Sequence, residues 1–369
     1  MPRETTEVRK VLLLTPEMEA RGISECSYNL ACELQRMEVE VAVFCAPGPM
    51  LDRLPRAGIP VRKFEHLEGM GLHFGEQKKF LSAAEEFSPQ IVHGHSFRVA
   101  GALKLLLKNS ELPAVLTLHR PPSGGRGLRK LSQRLAGLIA TTQSVRAKLV
   151  NRCGVDKQKV KVIHNGIDAK RLKGRDIPPA FRSGTPAVGS LGPIEEEHGH
   201  ELFVRAAEVL VERGVKAEFV VAGQGQELPE IRALIDRAGL QHFVTVAADF
   251  SAYEDVLGAL DVVVQSSQVD VSGFSILEAM AHARPVVAFN TGTACEIIED
   301  EKTGLLVPKG DINALAGSLQ RLIEDTGWAR AMGERGQAVV QDEFSIRTMT
   351  LETLRYYASV LSAGPASSS

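Results

Sequence analysis

The sequence predicts an α/β protein built from two doubly wound domains facing across a cleft. Three observations predict it. The chain has 369 residues, beyond the roughly 250–300 at which a single core stops growing. Short, unbroken apolar runs alternate with amphipathic stretches from end to end, the pattern of strands buried on both faces of a parallel sheet and of the helices that cover them. The alternation is interrupted at residues 170–186, where Gly174, Pro178, Pro179, Gly184 and Pro186 leave little periodicity.

The elements follow in order. Val11-Leu12-Leu13-Leu14 forms the first strand, ended by Thr15-Pro16. Residues 24–35 read as a helix with Leu30 and Leu34 on one face. Further strands are predicted at 39–44, 59–64, 90–93, 114–118, 138–141 and 160–163. A second series has strands at 187–191, 217–222, 243–246, 262–264 and 285–288, with helices such as 202–213 and 228–238 between them. Strand–helix–strand repetition implies right-handed crossovers in each half. Residues 328–362 read as helical throughout, with Met349, Leu351, Leu354, Tyr357 and Leu361 as a broken apolar stripe. The predicted division is a first domain at 1–170, a linker at 171–185, a second domain at 186–344, a terminal helix at 345–362 and a disordered tail at 363–369.

Composition excludes several classes. A formal net charge of -2 offers no basic field for nucleic acid. Cys26, Cys32, Cys45, Cys153 and Cys295 are odd in number and form no C-x-x-C pair, which argues against a zinc framework or a disulfide framework and for reduced thiols. The charged N-terminus lacks an apolar run long enough for a signal peptide, and no stretch approaches the ~18 apolar residues of a membrane span. The expected location is cytoplasmic, with any membrane contact peripheral and at the cytoplasmic face.

Ligands of open α/β sheets sit outside the carboxyl ends of the strands, so the turns after strands come first. Gly22 precedes a helix start, where a phosphate is favoured. His93 and His95 lie two apart on a strand and share a face; they suit a metal, but no third ligand lies nearby in sequence. Histidines at strand ends, His119 included, alternatively bond a sugar hydroxyl or the backbone. Asn165-Gly166 is a turn. Gly223-Gln224-Gly225 is half of a dinucleotide fingerprint, since Leu228 stands where the third glycine belongs. The richest segment runs from Asp261 to Glu296. There a strand leads into a polar loop with Asp270, then Gly273-Phe274, then a helix that Ser275 is placed to cap and that carries Glu278. The two carboxylates, Asp270 and Glu278, are placed to bracket the hydroxyls of a ligand.

In their joint order these motifs resemble the family 4 glycosyltransferases, retaining sugar transferases of the GT-B fold with two Rossmann-like domains. The resemblance spans about 11–361. It is carried by the Gly22 loop, His93-Gly94-His95, Thr117-Leu118-His119, Asn165-Gly166-Ile167-Asp168, Gly223-Gln224-Gly225, Asp270-x7-Glu278 with Pro285-Val286-Val287, and Thr303-Gly304-Leu305-Leu306-Val307-Pro308. It implies catalytic roles for His119 and Asp270 at the donor sugar. It implies donor binding by Gly22, Ser190, His198, Gly273, Phe274, Ser275 and Glu278, with Glu278 on the ribose. It further implies that the terminal helix packs on the first domain, and that the nucleotide is held mainly by the second domain and the acceptor mainly by the first.

The sequence departs from the family pattern where the phosphates belong. Ser190 replaces the usual arginine, and His198 replaces the usual lysine after a longer, acidic loop. Ala283 stands where the family often has glycine. Arg98 and Arg120 are candidates to restore the missing charge, and no D-x-D pair is present to hold a metal, so none is expected and no cofactor is required. The resulting expectation is a retaining, metal-independent transferase. It uses a nucleotide-sugar donor and a carbohydrate or lipid-linked acceptor, in surface or exopolysaccharide assembly. A nucleotide-sugar-binding protein with impaired catalysis and a nucleotide-sugar epimerase fit the same architecture. Arg126, Arg129, Lys130 and Arg134 suit either a solvated face or an anionic lipid surface at the inner leaflet.

Overall fold

The computed structural model describes residues 8–17, 22–69, 72–168, 184–248, 253–270 and 272–363. The linker expected at 171–185 lies outside these residues except for Gly184 and Thr185, and the tail expected at 363–369 lies outside them except for Ala363. The chain divides into two compact units: Met1–Gly166 with Ile346–Ser369, and Ile167–Ser345.

The first unit is built on strands β1 (Lys10–Thr15), β2 (Glu40–Cys45), β3 (Val61–Lys63), β4 (Ile91–His95), β5 (Ala114–Leu118), β6 (Gly137–Ala140) and β7 (Val160–Val162). They form one parallel sheet in the order β3-β2-β1-β4-β5-β6-β7. Every residue of β4 and β5 is buried, as both-face coverage by helices requires. The strand expected at 59–64 shortens to three residues, because β3 is an edge strand whose Arg62 and Lys63 face solvent. Phe44, Phe64 and Phe80 pack with ring centroids 5.4–5.9 Å apart and anchor one face of the core.

The second unit carries β8 (Ala187–Leu191), β9 (Glu218–Ala222), β10 (Val244–Ala247), β11 (Val262–Gln265), β12 (Val286–Phe289) and β13 (Leu305–Val307). Its parallel order is β10-β9-β8-β11-β12-β13. Strand β13 was not among the predicted strands, since three residues give no usable period. In both sheets the winding reverses beside the first strand, at β1/β4 and at β8/β11. That order defines a crevice at the carboxyl ends of those strands.

The stretch read as helical throughout 328–362 is two helices, Thr326–Asp342 and Ile346–Ser362, the second starting one residue after the terminal helix expected at 345–362. The break has a backbone cause. The carbonyl of Phe344 accepts from the Ile167 N–H at 3.0 Å, and Ser345 bridges Ile167. Those bonds occupy groups that a continuous helix would use. The terminal helix, Ile346–Ser362, is part of the first unit. The Tyr356 hydroxyl donates to the carbonyls of Lys159 at 3.0 Å and Leu138 at 3.3 Å. Gly137 has no side chain there because a Cβ would overlap the Tyr356 hydroxyl. The buried Tyr357 hydroxyl lies 2.5 Å from His93 Nδ1.

Ala283 sits at φ 55°, in the left-handed region that penalises an L side chain. Relief of that strain outweighs the extra unfolded-state freedom of glycine. Ala283→Gly is therefore expected to stabilise the second unit by about 0.5–1 kcal/mol. Urea unfolding followed through Trp328, the single tryptophan and a residue of that unit, measures it. An unchanged or lower midpoint contradicts the strain argument.

Candidate functional site

Each switch point gathers the residues singled out in the sequence. In the first unit β1 ends at Thr15, β4 at His95, and β5 leads into His119. The β4 register places Leu13 opposite His93 and His95 opposite Thr117. His93 and His95 share a face, their ring centroids 4.2 Å apart. Both nitrogens of His93 are occupied, Nδ1 by Tyr357 and Nε2 by the Thr117 hydroxyl at 2.6 Å. Neither ring nitrogen of His95 or of His119 has a hydrogen-bond partner, and the hydroxyls of Thr15 and Thr141 are also buried without one. His95 is 1% exposed and His119 9%. Burial pushes His119 down to about 4 and His95 well below its ordinary value, the latter helped by His93 and His119, so both are neutral at pH 7. An unpaired buried polar group costs about 1–3 kcal/mol. A concentration of them at a switch point marks a place shaped for something other than stability.

Gly22 starts the helix Ile23–Arg36 at φ 72°, and no side chain caps that helix. A Cβ there would meet nothing within 4 Å, so the backbone angle, not crowding, demands glycine. Arg98 pairs with Glu68 at 2.5 Å and Glu17 at 3.9 Å, which reduces the positive potential it can offer a phosphate. Arg120 is exposed immediately after His119. Arg126, Arg129 and Lys130 are exposed on the short helix Gly125–Ser132, whose Leu128 and Leu131 are buried, while Arg134 donates to the Leu107 carbonyl.

In the second unit the loop after β8 is fastened from two sides. The Gly192 N–H donates to the Ala222 carbonyl at 3.0 Å and the Ile194 N–H to the Gln224 carbonyl at 2.8 Å. A Cβ at Gly223 or Gly225 would overlap the carbonyls of Gly192 and Ile194. These two glycines thus serve the close packing of two backbones. Ser266 donates to the Gly199 carbonyl at 2.8 Å. Gly199, at φ 68°, opens the helix His200–Glu212, which no side chain caps. Such a start favours an anion through its backbone N–H groups and dipole.

Ser190 is 2% exposed, and its hydroxyl lies 3.0 Å from His200 Nδ1. His200 Nε2 lies 3.0 Å from the Pro193 carbonyl. His200 escaped the sequence reading, although it stands two residues after His198 and opens the helix. Desolvation, offset in part by the Pro193 carbonyl and aided by His198, pushes His200 down to about 4. It is therefore a neutral link, not a replacement cation. His198 is half-buried beside Glu195 and Glu197, with possible ligand atoms of the three within 4.8 Å of one another.

Asp270 and Gly273 lie in the loop that follows β11, and Glu278 lies on the helix after that loop. The Thr293 N–H donates to Asp270 Oδ1 at 3.3 Å. A Cβ at Gly292 would overlap that same oxygen, so Gly292 makes the space Asp270 occupies. The helix Phe274–Ala281 is preceded by Gly273 at φ 74°, where a Cβ would lie 2.6 Å from Thr293 Cγ2. Ser275 does not cap it. The helix starts at Phe274, and the Ser275 hydroxyl donates to Gln265 Oε1 at 2.5 Å instead. Gln265 in turn donates to the Ser267 hydroxyl at 2.6 Å. Glu278 is half-buried on this helix.

Two sheets of this order, each with a glycine-started helix at its switch point, define a pair of Rossmann-like domains. Comparisons place them in a family. Residues 20–171 match "Glycosyltransferase Family 4" and residues 177–339 match "Glycosyl transferases group 1". The chain belongs to the group 1, family 4 glycosyltransferases. It is 32% identical over 164 residues to the alpha-D-kanosaminyltransferase of Streptomyces kanamyceticus, covering 44% of this chain and 42% of that protein. It is 28% identical over 241 residues to the 2-deoxystreptamine glucosyltransferase of the same organism, covering 62% of each. Both matches span less than two thirds of the relative's length. The crystal structure of Anabaena HepE in complex with UDP superposes with a TM-score of 0.81 at 22% identity, over 95% of this chain and all of that one. At that identity the likeness shows the fold.

The depressed pKa of His200 has a consequence for stability. Unfolded, the imidazole protonates near 6.5; folded, it stays neutral down to about 4. The unfolded chain therefore binds more protons between these values, and stability, complete above 6.5, is lost as the pH falls toward 4. The loss is about 1.4 kcal/mol per pH unit for this group. Urea midpoints of Trp328 fluorescence should fall less steeply across that window in His200→Gln than in the natural chain. Parallel slopes contradict the assignment.

Proposed function

We propose that the protein is a retaining, metal-independent glycosyltransferase that moves a sugar from a nucleotide-sugar donor to a carbohydrate or lipid-linked acceptor. The observation that carries this reading is the end of β11. There Asp270 and the Gly273 turn are positioned at a helix start by glycines that cannot be replaced without overlap or strain, and Glu278 lies on that same helix. A pair of carboxylates beside backbone N–H groups suits vicinal hydroxyls and a nearby phosphate together. In this reading Glu278 accepts from the ribose, Asp270 and Gly273-Phe274 hold the donor sugar, and neutral His119 contacts the sugar near the reacting carbon.

The nucleotide is assigned to the second unit and the acceptor to the first. HepE, which shares the fold, is described in complex with UDP, and the curated relatives are by name a kanosaminyl- and a glucosyltransferase; these support a nucleoside-diphosphate donor. Retention of configuration is supported by the motif resemblance. Independence of a metal is supported by the lack of a D-x-D pair in the sequence. Surface or exopolysaccharide assembly, on the cytoplasmic side of a membrane, remains the proposed setting. The exposed Arg126, Arg129 and Lys130 supply a face for anionic headgroups. No helix among the described residues is long and apolar enough to cross a membrane.

The departing diphosphate builds negative charge that must be met. The uncapped start of His200–Glu212 and that of Phe274–Ala281 supply backbone donors in place of the missing arginine and lysine. A second reading draws on one specific observation. Ser190 is buried against neutral His200, so no cation stands at that position. A binding protein with impaired catalysis needs none.

Loss of two ribose hydrogen bonds to a charged acceptor costs about 2–4 kcal/mol. Calorimetry with UDP and other nucleoside diphosphates on Glu278→Ala should show a matching fall in affinity, roughly 30- to 1000-fold. Equal affinity in the variant and the natural chain removes Glu278 from the nucleotide site.

A further inference from the structure

The unpaired histidines of the first unit have a neighbour that the sequence did not associate with them. Cys26, in the first turns of the helix Ile23–Arg36, is 3% exposed and brings its sulfur beside them. One potential ligand atom from each of Cys26, His95 and His119 lies within 4.8 Å of the other two. The histidine atoms in this cluster are ring nitrogens without any hydrogen-bond partner. A cavity of about 20 Å³ opens beside Cys26 and His95, lined also by His93, Thr141 and Asn165 among others. It has room for one small ion or one water. His93, which the strand pairs with His95, is excluded as a ligand because Tyr357 and Thr117 occupy both its nitrogens.

We propose that Cys26, His95 and His119 form a binding site for a single zinc-like transition-metal ion within the first unit. Thiolate and imidazole are the donor set of zinc and its borderline-soft neighbours, and they disfavour magnesium and calcium. Tetrahedral bonds of about 2.0–2.3 Å put ligand atoms about 3.3–3.8 Å apart, which a small contraction of the present cluster reaches. Neutral imidazoles are in the ligating form at pH 7. The Cys26 S–H gives its proton to solvent as the sulfur–metal bond forms. The fourth position faces the cavity, where a water or the Asn165 amide oxygen, 3.7 Å from the sulfur, completes the tetrahedron.

The second nitrogen of each histidine has no acceptor to orient it, so the site is weaker than a structural zinc centre with a full outer shell, by about 10- to 100-fold. That suits an ion that comes and goes. A bound ion also withdraws His119 from a sugar, so zinc should inhibit transfer. This consequence, unlike the binding itself, rests on the proposed reading of His119.

Cobalt(II) reports the site directly, independent of any activity. Metal-stripped full-length protein titrated with Co²⁺ under reducing, anaerobic conditions should bind one equivalent. It should show a thiolate-to-cobalt charge-transfer band in the near ultraviolet and the intense visible bands of a tetrahedral ion, both abolished by Zn²⁺. Cys26→Ser should lose the charge-transfer band and bind Zn²⁺ at least tenfold more weakly, whereas Cys295→Ser, at the exposed thiol, should keep it. Should Cys26→Ser fail to fold by circular dichroism, the near-isosteric His95→Gln carries the same comparison through the tetrahedral bands. Absence of a charge-transfer band in the folded natural chain overturns the site. So does a band that survives Cys26→Ser or vanishes in Cys295→Ser. Weak octahedral bands alone also overturn it and point to the cluster of exposed Glu195 with half-buried Glu197 and His198.

Discussion

The reversal of winding beside the first strand of each sheet is the constraint on which the rest depends. Parallel strands buried on both faces leave their side chains no access to solvent except at the strand ends. With the orders observed, only at β1/β4 and β8/β11 do adjacent crossovers leave in opposite directions, opening the carboxyl ends of two neighbouring strands. Polar residues collect there, where the open strand ends can admit a ligand. Thr15, His95 and His119 lie at the first point; Ser190, Gln265, Ser266 and Asp270 lie at the second.

The two points are finished differently. In the second unit nearly every polar group near the switch has a stated use. Ser190 holds His200, Gln265 links Ser267 to Ser275, and Thr293 steadies Asp270. Glycines at 199, 223, 225, 273 and 292 remove side chains that would overlap neighbouring atoms. The result is a rigid surface with two uncapped helix starts, suited to a ligand held by fixed donors. In the first unit His95 and His119 are left without partners. A group that is buried and unsatisfied lowers stability, and a site kept in that condition is one that an incoming ligand completes.

Much of this was legible in the sequence, for reasons of period and order. The two sheets follow from the alternation of apolar runs, and His93 and His95 share a face because strand side chains alternate. Asp270 and Gly273 in the loop and Glu278 on the helix that follows lie close in sequence, so their order needs no knowledge of the fold. What escaped involves long-range contact or competition between local bonds. Cys26 meets His95 and His119 only once β1, β4 and β5 are side by side. Tyr357 reaches His93 from the far end of the chain. Ser275 looked like a helix cap, but the left-handed Gly273 started the helix one residue earlier and Gln265 claimed the hydroxyl. No proline or glycine marks residues 343–345, so the helical pattern alone does not show the break before the terminal helix; that break comes from a backbone pairing with Ile167 that no local pattern encodes. The structure also changes the meaning of Ser190: it is engaged with His200, so an arginine there would have to displace that pair.

The central claim is that fixed backbone donors, without the usual arginine and lysine and without a catalytic metal, suffice for departure of the nucleoside diphosphate. The most direct measurement is nucleoside diphosphate release from a panel of nucleotide sugars, with and without acceptors, in excess chelator. The account predicts release above the protein-free rate with at least one donor, undiminished by the chelator. Firm binding of the nucleoside diphosphate with no release from any donor, chelator or not, would contradict it and leave a protein that binds nucleotide sugars without transferring them.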